Sequence, residues 1–347
     1  MFMSQAARTR DGGRTLEGRE RRRPGRRGRR RGTAVAVLAV LPWVVLALVR
    51  WLGLDRALPF PLVPVLAFTP YLAAAAPLPV LLALLLRRWR TAVLGTLAAV
   101  LLAALVLPRA VPAGPPDPAP TGPPLRVLTV NLHFGHADPV EVVRLVEAER
   151  VDLLALQEVT PEAAEGLEHA GLGEVLPHAV THAAPAAAGG AVHSRYPLTD
   201  LGDPGRDIES LYMPQARVDV PDAAPVEITS VHPMSPRRPG SMPQWTAGLR
   251  ALPETEPGGA VRILAGDFNA TLDHAELRAV LDGGYVDAAS ATGRGFEHTW
   301  PVRHPLPMVA IDHVLVDPRV GVESAAVREV PDIKHRAVLT ELVLPEG

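Results

Sequence analysis

The chain has 347 residues, enough for about two domains, and its formal net charge of −2 conceals two unlike halves. Residues 1–124 carry 18 arginines against 5 acidic residues, net +13, whereas residues 125–347 carry 17 basic against 32 acidic residues, net −15. So acidic a C-terminal half repels polyanions, which counts against tight non-specific binding to nucleic acid, and the absence of cysteine excludes disulfides, cysteine-ligated zinc and a thiol nucleophile.

Residues 1–32, with Arg21, Arg22, Arg23, Arg26, Arg27, Arg29, Arg30 and Arg31 among glycine and proline, cannot bury a core and are expected to form a disordered tail. Three apolar stretches follow, at about 33–52, 60–86 and 91–107, each long enough for a transmembrane helix. A cleaved signal peptide fits poorly, because the first stretch runs into Arg50 and Trp51 and two more apolar stretches succeed it. The tail and the Arg87, Arg88, Arg90 loop are basic, while the first loop holds only Arg50 and Arg56 with Asp55. That asymmetry predicts a multi-pass protein of the cell membrane with a cytoplasmic N-terminus and, after three crossings, an extracytoplasmic C-terminal domain. The Pro-rich stretch 109–124 reads as a semi-rigid spacer holding that domain off the membrane.

From Leu125 onward, short apolar runs alternate with helical segments, the pattern of an α/β domain over 125–347. Asp138-Pro139 with Glu141 marks a helix start, followed by Val140, Val143 and Val146 on one expected face, and Thr160-Pro161-Glu162 repeats the same start logic. Successive apolar strands end in polar groups: Asn131, then Gln157-Glu158, then His232, then Asp267-Phe268-Asn269. In an open α/β sheet such ends surround a ligand. Asn131 and Asn269 are the only asparagines in the chain. If strand geometry continues past Asp267, then Asp267 and Asn269 point the same way, an anion beside an amide.

Val130-Asn131-Leu132-His133, Leu156-Gln157-Glu158, the Ser194-Arg195-Tyr196-Pro197 turn, Val231-His232-Pro233, Gly266-Asp267-Phe268-Asn269-Ala270, Ile311-Asp312-His313-Val314 and His335-Arg336-Ala337-Val338 resemble, in order and spacing, the motif set of the endonuclease/exonuclease/phosphatase family. The resemblance implies a four-layer α/β/β/α sandwich, here preceded by three transmembrane helices, and hydrolysis of phosphate esters with Mg²⁺ or Mn²⁺. It implies Glu158 as principal metal ligand with Asn131 beside it, Asp267 orienting or deprotonating water, and Asn269 holding a phosphate oxygen. His232 and His335 resemble the paired imidazoles that clamp the phosphate, with Asp312 holding His335 in one tautomer. His133, His136, His193 and His313 are weaker candidates, read as surface or supporting residues. Where the family has an aspartate before the final histidine, this chain has Lys334, its only lysine. That departure leaves open a one-metal enzyme, a substrate contact by Lys334, or a weakened site. The expected activity is that of a membrane-tethered phosphodiesterase or phosphatase acting on a phospholipid headgroup or small phosphoester; an extracytoplasmic nuclease and a catalytically weakened binding or sensor protein are the alternatives.

Overall fold

The computed structural model describes residues 26–206, 211–302 and 308–347. Most of the expected disordered tail lies outside the described residues, and Arg26–Gly32 already belong to helix α1 (Arg26–Leu52). Two helices, Arg29–Leu52 and Trp89–Ala110, are long and apolar enough to cross a membrane. The third expected span is broken into α2 (Leu62–Val65), α3 (Thr69–Ala75) and α4 (Pro77–Leu85), with a bend of 46° before Pro77. Pro77 has no N–H to continue the preceding helix, which accounts for the break.

Helix α1 and helix α5 (Trp89–Val106) lie side by side and run the same way. At one end an Arg88 guanidinium N–H donates to the Arg29 carbonyl at 2.7 Å; further along, Ala47 packs with Ala98 and Leu102. The chain between them must therefore travel back along both. It does so through α4, where Ala83 packs on Ala36, Val40 and Ala92. Small residues permit this approach: a Cβ on Gly95 would meet Val80 at 3.1 Å and Val40 at 3.2 Å. The outward side chains are large and apolar, with Leu38 69 % and Leu85 72 % exposed.

The remaining elements are β1 (Pro124–Asn131), α6 (Pro139–Ala148), β2 (Leu153–Gln157), α7 (Pro161–His169), α8 (Leu172–Val175), β3 (His178–His182), β4 (Gly190–Ser194), β5 (Leu198–Gly202), β6 (Gln215–Val218), β7 (Val226–Val231), α9 (Met242–Arg250), β8 (Val261–Asp267), α10 (Ala275–Asp282), β9 (Val286–Asp287), α11 (Ala288–Ala291), β10 (Asp312–Val316), β11 (Gly321–Glu329) and β12 (Arg336–Val343). Two six-stranded mixed sheets result, ordered β11-β12-β1-β2-β4-β3 and β5-β6-β7-β8-β10-β9. Their parallel pairs are β1–β2 and β7–β8, whose connections carry α6 and α9. Alternation along the strands sends Val127, Leu153 and Ala155 inward against Ile228, Ile263 and Val314 of the other sheet. Leu128, Val130, Leu154 and Leu156 face outward onto Val142, Val143 and Val146 of α6. Leu264 and Leu315 face outward onto Trp245 of α9 and Leu277 of α10. The layers are thus α/β/β/α.

Helix α6 starts as expected, with the Asp138 side chain accepting from the Val140 N–H at 2.9 Å. Its buried face is Val142, Val143 and Val146, while Val140, expected on that face, is 55 % exposed at the first turn. Thr160 likewise accepts from the Ala163 N–H at 3.1 Å.

The stretch 109–124 does not act as a spacer. Arg109 donates to both Asp273 oxygens, at 2.8 and 2.6 Å, and Arg50 donates to Asp273 Oδ1 at 2.8 Å. Asp273 is fully buried, and both arginine side chains are 9 % exposed. A carboxylate so buried requires charged partners, and the last turns of two apolar helices supply them. Val63 enters the outer core of the second sheet. Asp55 accepts from the Ala275 N–H at 2.7 Å, capping α10 from outside the domain. The α/β half sits directly on the helical bundle.

Candidate active site

Chain ends from both sheets meet at one edge of the sandwich, and the backbone there is bent rather than extended. Glu158 (φ +58°), Asn269 (φ +48°), His133 (φ +52°) and Phe134 (φ +60°) all adopt left-handed conformations, which cost non-glycine residues about 1 kcal/mol or more each. Gly135 continues the turn at φ +74°, and a Cβ there would lie 2.6 Å from Thr160 Oγ1. This turn aims the Phe134 N–H at Glu158 Oε2, 2.5 Å away.

Asn131 stands between the two sheets. Its Oδ1 accepts from the His133 N–H at 2.8 Å, which fixes the amide so that Nδ2 faces the carboxylates. Nδ2 donates to Glu158 Oε1 at 3.1 Å and to Asp267 Oδ2 at 3.0 Å. Its Oδ1 is thus turned to the backbone, while its Nδ2 joins the two carboxylates. Asp267 ends β8, and its Oδ1 accepts from the Asn269 N–H at 2.8 Å. The chain turns at this bond, so the strand geometry does not continue from Asp267 to Asn269. Asn269 Nδ2 donates to the Pro233 carbonyl at 3.1 Å, leaving its second N–H free of that bond.

His335 Nδ1 lies 3.1 Å from both Asp312 oxygens, and its Nε2 lies 3.9 Å from Asp267 Oδ2. Burial alone would lower this imidazole, but Asp312 and then Asp267 outweigh it and hold it at about 9. Burial and the like charge of Asp312 push Asp267 up to about 7, against the pull of His335. His232 Nε2 sits 3.7 Å from Glu158 Oε1 and 3.9 Å from Asp267 Oδ2, and burial brings it down to about 4. One imidazole is thus cationic and the other neutral at pH 7. Ligand atoms of Asp267, Asp312 and His335 lie within 4.8 Å of one another, but a protonated His335 has no lone pair to give a metal, so the carboxylate oxygens are the donors this group offers.

Several supporting residues were not legible in the sequence. Thr299 Oγ1 accepts from the Ile311 and Asp312 N–H groups, at 3.0 and 3.1 Å, and so fixes the start of β10. A buried chain runs from Thr129 through Gln157 to Ser230 beneath the site, with donor–acceptor distances of 3.2 and 2.9 Å. The Trp300 ring lies 6.4 Å from the His335 ring, and the Arg237 guanidinium 5.8 Å from the Trp300 ring. His313, read as a weak candidate, is buried and bridges Asp287 (3.0 Å) and the Ala270 carbonyl (3.1 Å), bracing the loop after Asp267. His193 is buried within β4 rather than at the surface, while His136 is exposed and His133 partly so. The Lys334 side chain is exposed, and its charge contributes to a lowered His133.

The fold has known counterparts. A structure of an AP endonuclease from Archaeoglobus fulgidus aligns with a TM-score of 0.52 and 14 % identity, covering 62 % of this chain and 98 % of that one. Truncated Caenorhabditis elegans TDP2 aligns with a TM-score of 0.50 and 16 % identity, covering 63 % and 98 %. An endonuclease/exonuclease/phosphatase from Beutenbergia cavernae DSM 12333 aligns with a TM-score of 0.48 and 19 % identity, covering 64 % and 72 %. A comparison with curated proteins finds no match. Residues 128–334 match the profile of the Endonuclease/Exonuclease/phosphatase family, more than half of the chain, so the chain belongs to that family.

Proposed function

We propose that the chain is a membrane-tethered, divalent-metal-dependent phosphoesterase whose catalytic domain faces the extracytoplasmic side. The observation that carries the chemistry is the buried Glu158–Asp267–Asp312 carboxylate cluster facing a single cationic imidazole, His335. Three carboxylates against one firm cation leave negative charge that burial penalises, and the raised Asp267 registers it. A hard dication suits that deficit and an all-oxygen donor set. Glu158 would hold it, with Asn131 keeping the Glu158 and Asp267 carboxylates in place. Bound there, the ion supplies positive charge to the phosphoryl group.

The chain's own residues account for the rest. Asp267 takes a proton from the attacking water as its oxygen bonds to phosphorus, and the bond from phosphorus to the leaving oxygen breaks. Cationic His335, held by Asp312, and the second N–H of Asn269 bind phosphoryl oxygens as charge shifts onto them. Neutral His232, with Nε2 3.7 Å from Glu158 Oε1, donates a hydrogen bond to a phosphoryl oxygen. Turnover of bis(p-nitrophenyl) phosphate by the purified full-length chain tests this. Activity should appear with Mg²⁺ or Mn²⁺, vanish in EDTA, and fall roughly 10³-fold in Glu158→Ala; full activity in EDTA would sink the reading.

The membrane part of the proposal rests on the parallel course of α1 and α5. Their starts gather Arg29, Arg30, Arg87, Arg88 and Arg90, their ends meet at Asp273, and the intervening chain returns between them. That course supports a reading of three crossings with the arginine-rich end in the cytoplasm. Since the chain lacks cysteine, a Glu168→Cys variant offers one thiol on the catalytic domain. It should react with a membrane-impermeant maleimide in intact cells, and reaction only after permeabilisation would reverse the sidedness.

A further inference from the structure

Where the helical bundle meets the second sheet, a cavity of about 340 Å³ opens beside the catalytic loop. Its walls come from two sources. The bundle contributes Phe60, Pro64 and Phe68, and the catalytic domain contributes Trp300 and Ile311, with Asn269 at the inner end. Polar groups are few. The ring nitrogens of His274 are engaged by the Thr271 N–H (2.9 Å) and the Val63 carbonyl (3.2 Å), so this wall residue offers its apolar edge. At the mouth, Arg237 stacks 5.8 Å from the Trp300 ring, whose other neighbour is His335.

The cavity thus joins the phosphate-handling groups to an apolar chamber, and part of the chamber is built by a bundle segment. The outer side of that segment is itself apolar, with Leu62 and Val65 47 % and 45 % exposed, and Trp51, Leu52 and Leu54 are exposed at the same end of α1. Arg31 to Arg50 spans about 29 Å of helix, one bilayer thickness. Arg50 binds Asp273, four residues after Asn269, so the catalytic loop lies at the level where the apolar helix ends. Chamber and lipid-facing surface are neighbours.

We infer that the site takes an amphiphilic phosphoester from the bilayer, with its phosphate at Asn269 and His335 and its apolar arm in the chamber between Phe68 and Trp300. The inference rests on the phosphoesterase reading above and adds the substrate class, a membrane lipid bearing a phosphoester. The lining is what an acyl or prenyl arm requires. A polynucleotide would instead need a basic groove, and the domain carries net −15 over 125–347.

The test uses the full-length chain in nanodiscs and a series of methyl, butyl and octyl p-nitrophenyl phosphates, each below its micellar concentration. All release the same p-nitrophenol, with water supplying the new oxygen on phosphorus and the proton on the leaving phenol. The expected result is a rise in kcat/KM of at least about tenfold from methyl to octyl. Ala67→Phe, which fills the chamber, should abolish that octyl-to-methyl ratio, and Phe68→Ala, which enlarges it, should move the optimum to longer chains. Binding is read apart from turnover by titrating octyl phosphate and butyl phosphate in EDTA, with empty nanodiscs subtracted. A flat series, no effect of either variant on the ratio, or faster turnover of thymidine 5′-(p-nitrophenyl phosphate) than of the octyl ester overturns the lipid assignment while leaving the hydrolase reading intact. Octyl phosphate binding that Ala67→Phe abolishes, in a protein that hydrolyses no ester with metal, would uphold the chamber and remove the catalytic reading instead.

Discussion

The two outer layers of the sandwich are closed differently. On the first sheet, α6, α7 and α8, with Val330 and Ile333, cover the strands without help from the bundle, and the side-chain caps of α6 and α7, Asp138 and Thr160, belong to the sequence immediately before each helix. On the second sheet, α9 and α10 leave the layer incomplete, and Val63, Asp55, Arg50 and Arg109 from the helical bundle finish it. The first half of the site, Asn131 and Glu158, therefore stands on a self-contained layer. The second half, Asp267 and Asn269, stands on a loop pinned to the helical bundle. The geometry on that side is braced by the bundle, so the proposed activity is best measured on the whole chain rather than on the isolated segment 125–347.

The sharpest break would come inside the shared centre. Asp312→Asn removes the charge that holds His335 up at about 9, and turnover should drop roughly 10²- to 10⁴-fold. The pH dependence of stability should change as well. A histidine whose folded value is raised above about 6.5 contributes stability that is complete below that pH and is lost as pH rises through about 9. Thermal midpoints of the metal-free wild type should fall across that window, and the Asn variant should show a shallower fall; identical slopes would mean that Asp312 does not set the charge of His335.

On the bundle side, Asp273→Asn leaves Arg50 and Arg109 buried without their anion, which costs about 3–5 kcal/mol. On the other side, Asp138→Ala removes one exposed N-cap and costs about 1 kcal/mol. Denaturation of the full-length chain in nanodiscs should separate the two clearly. Equal shifts would mean that the bundle is only a tether, and the contrast between the layers would fail.

The same contrast explains what could be read from the residues alone. Strand ends, caps and apolar alternation are local, so Asn131, Glu158, His232 and Asp267 are legible as strand-end polar groups, whereas Asp312 and His335, at or before strand starts, are named only by the family resemblance; the structure brings all six to one edge. The errors are non-local or depend on backbone turns. The docking of Arg50 and Arg109 on Asp273 links positions 223 and 164 residues apart, and a Pro-rich composition pointed to a spacer instead. The strand does not continue to Asn269, because the Asp267 side chain captures its N–H and ends it. Trp300 and Thr299 reach the site through tertiary contacts, with no motif to announce them.

Lys334 gives the smallest expected effect and bears on the first half of the site. It stands where the resembling motif has a carboxylate, yet its side chain is exposed and its charge is felt at His133, in the turn that aims the Phe134 N–H at Glu158. An exposed charge acts through screened water, so its influence on a cation near Glu158 is at most about 1 kcal/mol, about fivefold in affinity. Lys334→Asp should lower the Mg²⁺ concentration for half-maximal turnover by a few-fold, with Lys334→Ala in between, because the sign of the charge reverses in one and disappears in the other. A loss of maximal rate in both variants would instead assign the ammonium to the substrate phosphate, where an aspartate would set anion against anion. Should the three metal titrations coincide, the residue lies beyond electrostatic reach of the metal, and the departure from the family motif has no bearing on the chemistry.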